Sequence, residues 1–229
     1  MRVSLLLFFI LSVSFSDVFA QENNITTDKD AAYNRTITTR AQKIVQTLAI
    51  SDSSKAKHVT SIIADQYRSL NNVYTQRDNQ IKSIKDKGLS KEVADSELKK
   101  IQNITDKRLE EIHNSFLSKL ASELTPEQVT KVKDGMTYNV LNVTYDAYVD
   151  MIPALTKEQK NQIMKWLVEA REHAMDGESS EKKHWWFGKY KGRINNYLSA
   201  QGYDITKERK DWEERTKQQA EQRNKNQIQ

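Results

Sequence analysis

The chain has 229 residues, a net charge of +5, 29 % charged residues, six glycines, two prolines and no cysteine. So few turn-forming residues argue against a β-sandwich or barrel, and the lack of cysteine excludes disulfides and thiol chemistry. The composition predicts an all-α protein, and its basic charge permits anionic partners without identifying one.

The first twenty residues have the organisation of a cleaved secretory signal peptide. Arg2 precedes an apolar run over residues 3–13, and Ala20 lies just before the expected cleavage site. The apolar run is shorter than the roughly 20 residues that span a bilayer, so we expect no stable membrane insertion after cleavage. We therefore predict a periplasmic or secreted protein, for which nucleic acid is not an expected partner.

After the signal peptide, apolar residues recur at helical spacing. The pattern predicts a first helix over residues 37–48, a long second helix over 59–84 and a long third helix over 98–120. A short link at residues 87–90 makes the two long helices antiparallel. We therefore expect a long helical hairpin packed with several shorter helices.

Short motifs mark where the helices are expected to begin and end. An apolar residue followed by Ser or Thr precedes each expected start, and the hydroxyls are typical N-caps; these hydroxyl residues are Ser51, Ser90, Thr125, Thr156 and Thr206. Thr125 and Thr156 are each followed three residues later by glutamine, which predicts a capping box. Four glycines follow expected helices and are predicted to end them in the left-handed conformation; they are Gly88, Gly135, Gly177 and Gly202.

The domain organisation follows from these elements. Residues 1–20 are the predicted signal peptide, residues 21–205 a helical domain, and residues 206–229 a polar C-terminal helix or tail. Residues 136–153 are rich in Tyr and Val but lack a partner strand, so we predict a short helix there. Trp212 is the expected anchor of the polar C-terminal segment.

Four strings resemble an uncharacterised family of secreted bacterial proteins, the domain of unknown function 3826. They are Thr137-Tyr-Asn-Val140, Ala147-Tyr-Val-Asp-Met-Ile-Pro153, Trp166-Leu-Val-Glu-Ala-Arg171 and Lys189-Tyr-Lys-Gly-Arg-Ile-Asn-Asn-Tyr-Leu-Ser199. The resemblance implies an exported helical fold in bacteria that often degrade polysaccharides, and it implies no catalytic residues. The motifs Leu124-Thr-Pro-Glu-Gln128 and Leu155-Thr-Lys-Glu-Gln159 more weakly resemble the Leu-Thr-x-x-Gln family of periplasmic chaperones and stress regulators.

Residues 182–197 depart from the pattern of the other helices. Two glycines, Gly188 and Gly192, lie within a predicted helix, where each costs about 1 kcal/mol relative to alanine. Close packing of a neighbouring helix, with Trp185, Tyr190 and Ile194 in the core, is one explanation. A ligand is the other, because aromatic rings beside lysine and arginine suit an acidic glycan. The candidate ligand-binding residues are His184, Trp185, Trp186, Lys189, Tyr190 and Arg193.

Catalysis and metal binding have weaker signals. Glu169 and His173 share a helix face at a spacing compatible with two metal ligands, but no third ligand is suitably spaced. His173, Asp176 and His184 could surround a catalytic cleft, and no catalytic residue or cofactor is otherwise indicated. His58 and His113 are expected to be solvated or at a rim.

The function that the sequence favours is non-enzymatic binding of a protein client or partner in the cell envelope. One alternative is binding of an acidic glycan, or an accessory role in polysaccharide use, through Trp185 and Trp186. The other is an enzyme with a site around His173 and His184. The sequence does not decide the oligomeric state.

Overall fold

The computed structural model describes the backbone of residues 16–227 and the side chains of residues 30–223. Over that range the chain forms eight helices and no strand, which confirms the predicted all-α class. The helices are α1 (Ser16–Gln46), α2 (Ser53–Asp86), α3 (Lys91–Glu123), α4 (Pro126–Met136), α5 (Val140–Met151), α6 (Lys157–Met175), α7 (Ser180–Ala200) and α8 (Ile205–Gln227). The predicted long antiparallel hairpin is also confirmed, and α2 and α3 form it.

Most of the predicted signal peptide lies outside the described residues. Its last five residues, 16–20, belong to the beginning of α1. Within the part of the chain that is described, no helix is long and apolar enough to cross a membrane. Cleavage and export stay predictions.

Two hydrophobic cores divide the helices into an N-terminal group, α1–α4, and a C-terminal group, α5–α8. Val59, Ile63 and Leu120 are fully buried in the first core, and Leu167 and Ile194 in the second. Each such side chain contributes roughly 1.5–3 kcal/mol by leaving water. The apolar stripes predicted from the sequence therefore form the interior, and the two groups meet between α4 and α6.

Both predicted capping boxes are confirmed. At the start of α4, the Gln128 N–H donates to the Thr125 hydroxyl at 3.3 Å, and the Thr125 N–H donates to the Gln128 side chain at 3.1 Å. At the start of α6, the Gln159 N–H donates to the Thr156 hydroxyl at 3.2 Å, and the Thr156 N–H donates to the Gln159 side chain at 2.9 Å. Each box fixes where its helix begins and is worth about 1 kcal/mol.

Two other predicted helix starts need correction, and a third, at Ser90, is confirmed in position but not in its cap hydrogen bond. The α2 cap is Asp52 rather than Ser51, because the Asp52 carboxylate accepts hydrogen bonds from two N–H groups of the first turn. Asp204 plays the same part before Thr206. Ser90 occupies the N-cap position of α3, but its side chain makes no cap hydrogen bond. In these two cases an aspartate carboxylate, one residue after Ser51 and two residues before Thr206, is a stronger acceptor than the predicted hydroxyl.

Two of the four glycines predicted to end helices in the left-handed conformation do so. Gly88 and Gly202 end α2 and α7 in the left-handed conformation, with φ of +59° and +94°. Gly135 lies inside α4 instead, where a Cβ would come within 2.8 Å of an α1 side chain. Gly177 follows α6 but has no positive φ. Gly135 is therefore required by the close approach of α1 and α4 rather than by a helix end.

The Tyr- and Val-rich segment at residues 136–153 contains a short helix, as predicted. This helix is α5, and the turn before α5 is made by Tyr138 and Asn139, which both have a φ of 58°. Two non-glycine residues thus take the left-handed conformation that the sequence assigned to Gly135. Asn139 tolerates this region better than Tyr138 does.

The polar C-terminal segment is a helix attached to α5. The Trp212 indole N–H donates to the Asp150 carboxylate at 2.6 Å, and the ring packs against the C-terminal core. Arg215 donates to the carbonyls of Asp150 and Met151 at 3.0 and 3.2 Å, and so satisfies the end of α5. Trp212 therefore shares the anchoring of α8 with Arg215.

Candidate functional site

The two helix groups meet along a row of paired charges. Arg171, which is 6 % exposed, donates to the Asp134 carboxylate at 2.8 Å and joins α6 to α4. Beside it, Lys133 donates to Glu172 at 2.7 Å. A buried guanidinium without a partner is costly, so these pairs require α4 and α6 to stay together.

At one end of this junction lies a histidine–carboxylate pair. His113 Nδ1 on α3 is 2.7 Å from Asp176 Oδ2, at the C-terminal end of α6. The hydrogen bond to Asp176 raises the pKa of His113 above 6.5, and partial burial opposes it. The Tyr74 hydroxyl donates to the Asp176 carbonyl at 2.5 Å. The second carboxylate oxygen, Oδ1, is buried and accepts no hydrogen bond from the described residues.

A cleft of about 580 Å³ lies beside the His113–Asp176 pair. Small-molecule sites commonly have roughly 300–1,000 Å³, so the cleft is large enough for a ligand. Its walls come from α2 and α3 on one side and from α6 and α7 on the other. The residues that line it are Tyr74, Asp106, Leu109, Glu110, His113, Asn114, Glu172, His173, Asp176 and Trp186.

Carboxylates dominate the charge of this cleft. Asp106 and Glu110 lie one turn apart on α3, and both are exposed. Glu172 and Asp176 lie one turn apart on the opposite wall, where they are partly neutralised by the pairs described above. None of the residues found to line the cleft is a lysine or an arginine. The cleft therefore favours a neutral or cationic ligand over an anion.

Two parallel rings form an aromatic wall at the α6–α7 side. The centroids of His173 and Trp186 are 4.4 Å apart, with 16° between their planes. Trp185 meets the Trp186 ring edge-on at 5.0 Å. His173 is exposed and Trp186 is half-buried, so the aromatic pair is accessible from the cleft.

The sequence-predicted ligand residues do not all converge on this cleft. Trp186 lines it, whereas Trp185 is 48 % exposed on the outer face of α7. The amines of Lys182 and Lys189 lie 4.1 and 5.7 Å from the Trp185 ring centroid. Tyr190 is buried in the C-terminal core.

The other two candidates also lie outside the cleft lining. His184 stacks on Tyr138 at 5.7 Å, with 11° between the rings. Arg193 pairs with Glu169 at 3.4 Å and lies 4.6 Å from the Trp166 ring centroid. Of the proposed catalytic trio of His173, Asp176 and His184, the first two line the cleft and His184 does not.

The packing explanation for the two α7 glycines is wrong. A Cβ added at Gly188 or Gly192 would meet no described atom within 4 Å, and both positions are exposed. Tyr190 and Ile194 are in the core as predicted, but Trp185 is not. Phe187, which is 1 % exposed, joins Tyr190 in the core in place of Trp185.

His113, which the sequence predicts to be solvated or at a rim, is instead partly buried and hydrogen-bonded to the Asp176 carboxylate. A weak signal was present, because Asp106, Glu110 and His113 have the spacing of one helix face. The matching acids on α6 have the same periodicity, but only the tertiary fold brings the two faces together. Within the described residues, no group of three or more His, Asp or Glu side chains is arranged to hold a metal ion.

Comparison with known proteins agrees with the stronger of the two resemblances. The sequence profile of the family described as protein of unknown function (DUF3826) matches residues 34–218. This range contains α2 to α7 in full and parts of α1 and α8. The weaker resemblance to the Leu-Thr-x-x-Gln family gains no support, and both of its motifs serve as the capping boxes of α4 and α6. A search of curated proteins finds no match. The chain belongs to the family DUF3826, whose function is unknown.

Proposed function

We propose that the protein binds a saccharide in the cleft between α3 and the α6–α7 pair. The observation that carries this proposal is the His173–Trp186 wall in the same cleft as the exposed acids Asp106 and Glu110. The apolar face of a sugar ring packs against aromatic rings, and sugar hydroxyls donate to ionised carboxylates, which only accept. One sugar ring makes both kinds of contact in such a cleft.

The charge of the cleft favours neutral sugars and amino sugars. An ammonium group pairs with Glu110 or Asp106, whereas a uronic acid meets like charges there. An acidic glycan, which is one of the alternatives from the sequence, is better suited to the outer face of α7. On that face, the Lys182 ammonium lies 4.1 Å from the Trp185 ring centroid, while the Lys189 ammonium lies near both tryptophans, 5.7 Å from the Trp185 centroid and 5.1 Å from the Trp186 centroid.

Enzymatic action has less support than binding. Of the two histidines of the predicted catalytic site, His173 lines the cleft, whereas His184 stacks on Tyr138 outside the cleft lining. The His113–Asp176 pair has the hydrogen-bonded geometry of an acid–base group. It equally well joins α3 to the end of α6, so we propose a binding role.

Isothermal titration of the purified protein with neutral, amino and acidic mono- and disaccharides tests the proposal. We expect saturable binding of a neutral or amino sugar, weakened about tenfold by Trp186→Ala, since a lost stacking contact is worth about 1.4 kcal/mol. Trp185→Ala is the matched control, because its ring is adjacent but outside the cleft lining. Equal losses in the two variants, or no binding across the panel, would contradict the proposal.

A second pair of variants tests the role of the exposed α3 carboxylates in binding. Glu110→Gln removes a carboxylate from the cleft, while Glu111→Gln removes one from the next position of α3, outside it. We expect only the first to weaken binding. Binding of an amino sugar should fall with rising salt and that of a neutral sugar should not, because salt screens exposed charges. A polyamine that binds more tightly than every sugar would identify a cation site instead.

A protein client or partner is the second candidate, and the far end of the hairpin favours it. Residues 74–100, which we call the distal hairpin, contain no buried side chain. Leu89 and Val93 in this segment are 37 % and 47 % exposed, and Ile104 beyond it is 63 % exposed. A contiguous exposed apolar patch marks a surface that binds other chains, and we propose that Leu89 and Val93 form such a patch at the end of the hairpin.

The client hypothesis predicts that the protein suppresses aggregation of a denatured client at near-stoichiometric amounts. The double change Leu89→Ser and Val93→Ser should abolish suppression. Val143→Ser is the matched control, because Val143 is 63 % exposed on α5, which belongs to the other helix group. Unchanged suppression in the double variant would refute a role of the distal hairpin.

A further inference from the structure

A second cavity, of about 130 Å³, lies between α1, α2 and the beginning of α7. Tyr74 lines both this cavity and the cleft, so the two are neighbours. Its lining combines two basic residues with four tyrosines and two serines. These residues are Arg40, Lys183, Tyr33, Tyr67, Tyr74, Tyr138, Ser179 and Ser180.

Lys183 is the buried cation of this cavity. It is 6 % exposed, and its ammonium donates to the carbonyls of Met136 and Met175 at 3.0 and 3.2 Å, at the ends of α4 and α6. An ammonium has three N–H groups, so one is left after these two bonds. Burial lowers the pKa of Lys183 to about 8; Arg40 lowers it further and Asp176 opposes the shift.

The cavity has more positive than negative charge. Arg40 forms no ion pair with any described residue. Glu178, the carboxylate that lines the cavity, is already paired with Arg77. The amino-terminal end of α7, at Ser179 and Ser180, adds the positive end of a helix dipole.

Hydroxyl donors surround the same space. Tyr33 and Tyr74 donate to carbonyl oxygens of neighbouring helices. No hydrogen bond from the hydroxyl of Tyr67 or Tyr138 to another described residue is present, although both residues line the cavity. Two cations and two further phenols are thus left for a group that accepts hydrogen bonds and carries negative charge.

We propose that this cavity binds a tetrahedral oxyanion, the sulfate or phosphate group of a small molecule or of an ester, between Arg40, Lys183, Tyr67 and Tyr138. The volume admits such a group but is too small for the ligand of the adjacent 580 Å³ cleft. Donors from three helices and the turn before α5 suit an acceptor with oxygens in several directions. The anion offsets the charge repulsion between Arg40 and Lys183. This site is independent of saccharide binding in the cleft.

Sulfate is the probe of choice, because it does not titrate between pH 6 and 10. We expect isothermal titration of the purified protein with sodium sulfate, at constant ionic strength set with chloride, to give saturable 1:1 binding. Arg40→Gln should weaken it about tenfold, a loss of about 1.4 kcal/mol for one charge-assisted contact. Arg35→Gln, an exposed arginine of α1 that does not line the cavity, should leave it unchanged.

The pH dependence of sulfate affinity tests the role of Lys183 in the unmodified protein, so no Lys183 variant has to fold. Because Lys183 must be charged, affinity should fall about tenfold between pH 7 and pH 9, as its proton is lost around pH 8. Competition with methyl sulfate distinguishes the sources: displacement of sulfate by the ester indicates an ester ligand, and exclusion of methyl sulfate indicates a free anion. Equal binding by the Arg40→Gln and Arg35→Gln variants, affinity independent of pH, or no saturable binding would overturn the proposal.

Discussion

Replacing Lys183 by methionine removes a buried charge while keeping an unbranched side chain of similar length. Lys183 is 6 % exposed, and its pKa falls from 10.5 to about 8, with burial as the largest cause. The charged form therefore destabilises the folded state by about 3 kcal/mol at pH 7 relative to the neutral amine. This free-energy difference already includes the hydrogen bonds that the ammonium donates to the carbonyls of Met136 and Met175.

The sign of the pH effect follows from the lowered pKa. Between pH 7 and pH 9, the amine of the folded protein loses most of its proton, whereas the amine of the unfolded chain keeps it. The unfolded state then binds more protons, so stability rises with pH. Lys183 alone raises the free energy of unfolding by about 1.3 kcal/mol over this interval, and Lys183→Met lacks this rise.

Urea unfolding followed by circular dichroism at pH 7 and pH 9 measures the effect. The difference between the two pH values should be about 1.3 kcal/mol larger in the unmodified protein than in Lys183→Met. Lys182→Met is the matched control, because Lys182 is the exposed neighbour on α7. The reasoning is refuted if Lys183→Met and Lys182→Met respond to pH in the same way.

Three further predictions concern other parts of the fold. Thr156→Ala removes the capping box of α6 and should lower the free energy of unfolding by about 1 kcal/mol, measured by urea denaturation. A nuclear magnetic resonance titration of His113 should give a pKa above 6.5, because the hydrogen bond to Asp176 stabilises the charged imidazole. The stabilisation of the fold by this pair is present when His113 is protonated and is lost as the pH rises through the raised pKa. A pKa of 6.5 would contradict this pairing. Trp212→Ala should release α8 from α5, seen as faster amide exchange in residues 205–216 with the cores unchanged.

The sequence predicted the helices well because their signals are local. The Thr125 and Thr156 boxes need only residues within one turn, and the stripe from Ile37 to Val45 is a periodicity along one helix, α1. The errors at helix starts are also local, because neighbouring side chains compete for the same N–H groups of the first turn. Asp52 replaced Ser51 as the α2 cap, because a carboxylate next to a hydroxyl is the stronger acceptor.

The candidate site was predicted poorly because its residues are distant in the sequence. His113 and Asp176 are 63 residues apart, and neither motif nor spacing links them. Trp186, which the aromatic segment offers as a candidate, lines the cleft, but its neighbour Trp185 lies on the outer face of α7. Adjacent residues of a helix point about 100° apart, so a Trp-Trp pair cannot line one wall with both rings. The buried cation Lys183 had no sequence signal beyond its place in a basic segment.

The proposed function is the binding of a sugar ring in the cleft beside His173 and Trp186. Its most direct test follows the four tryptophan indole N–H signals of the ¹⁵N-labelled protein during titration with the best-binding saccharide. We expect the Trp186 signal to shift progressively to saturation, while the signal of Trp212, on α8, stays in place. A shift confined to Trp212, or a Trp186 signal unmoved at saturating sugar, would contradict it.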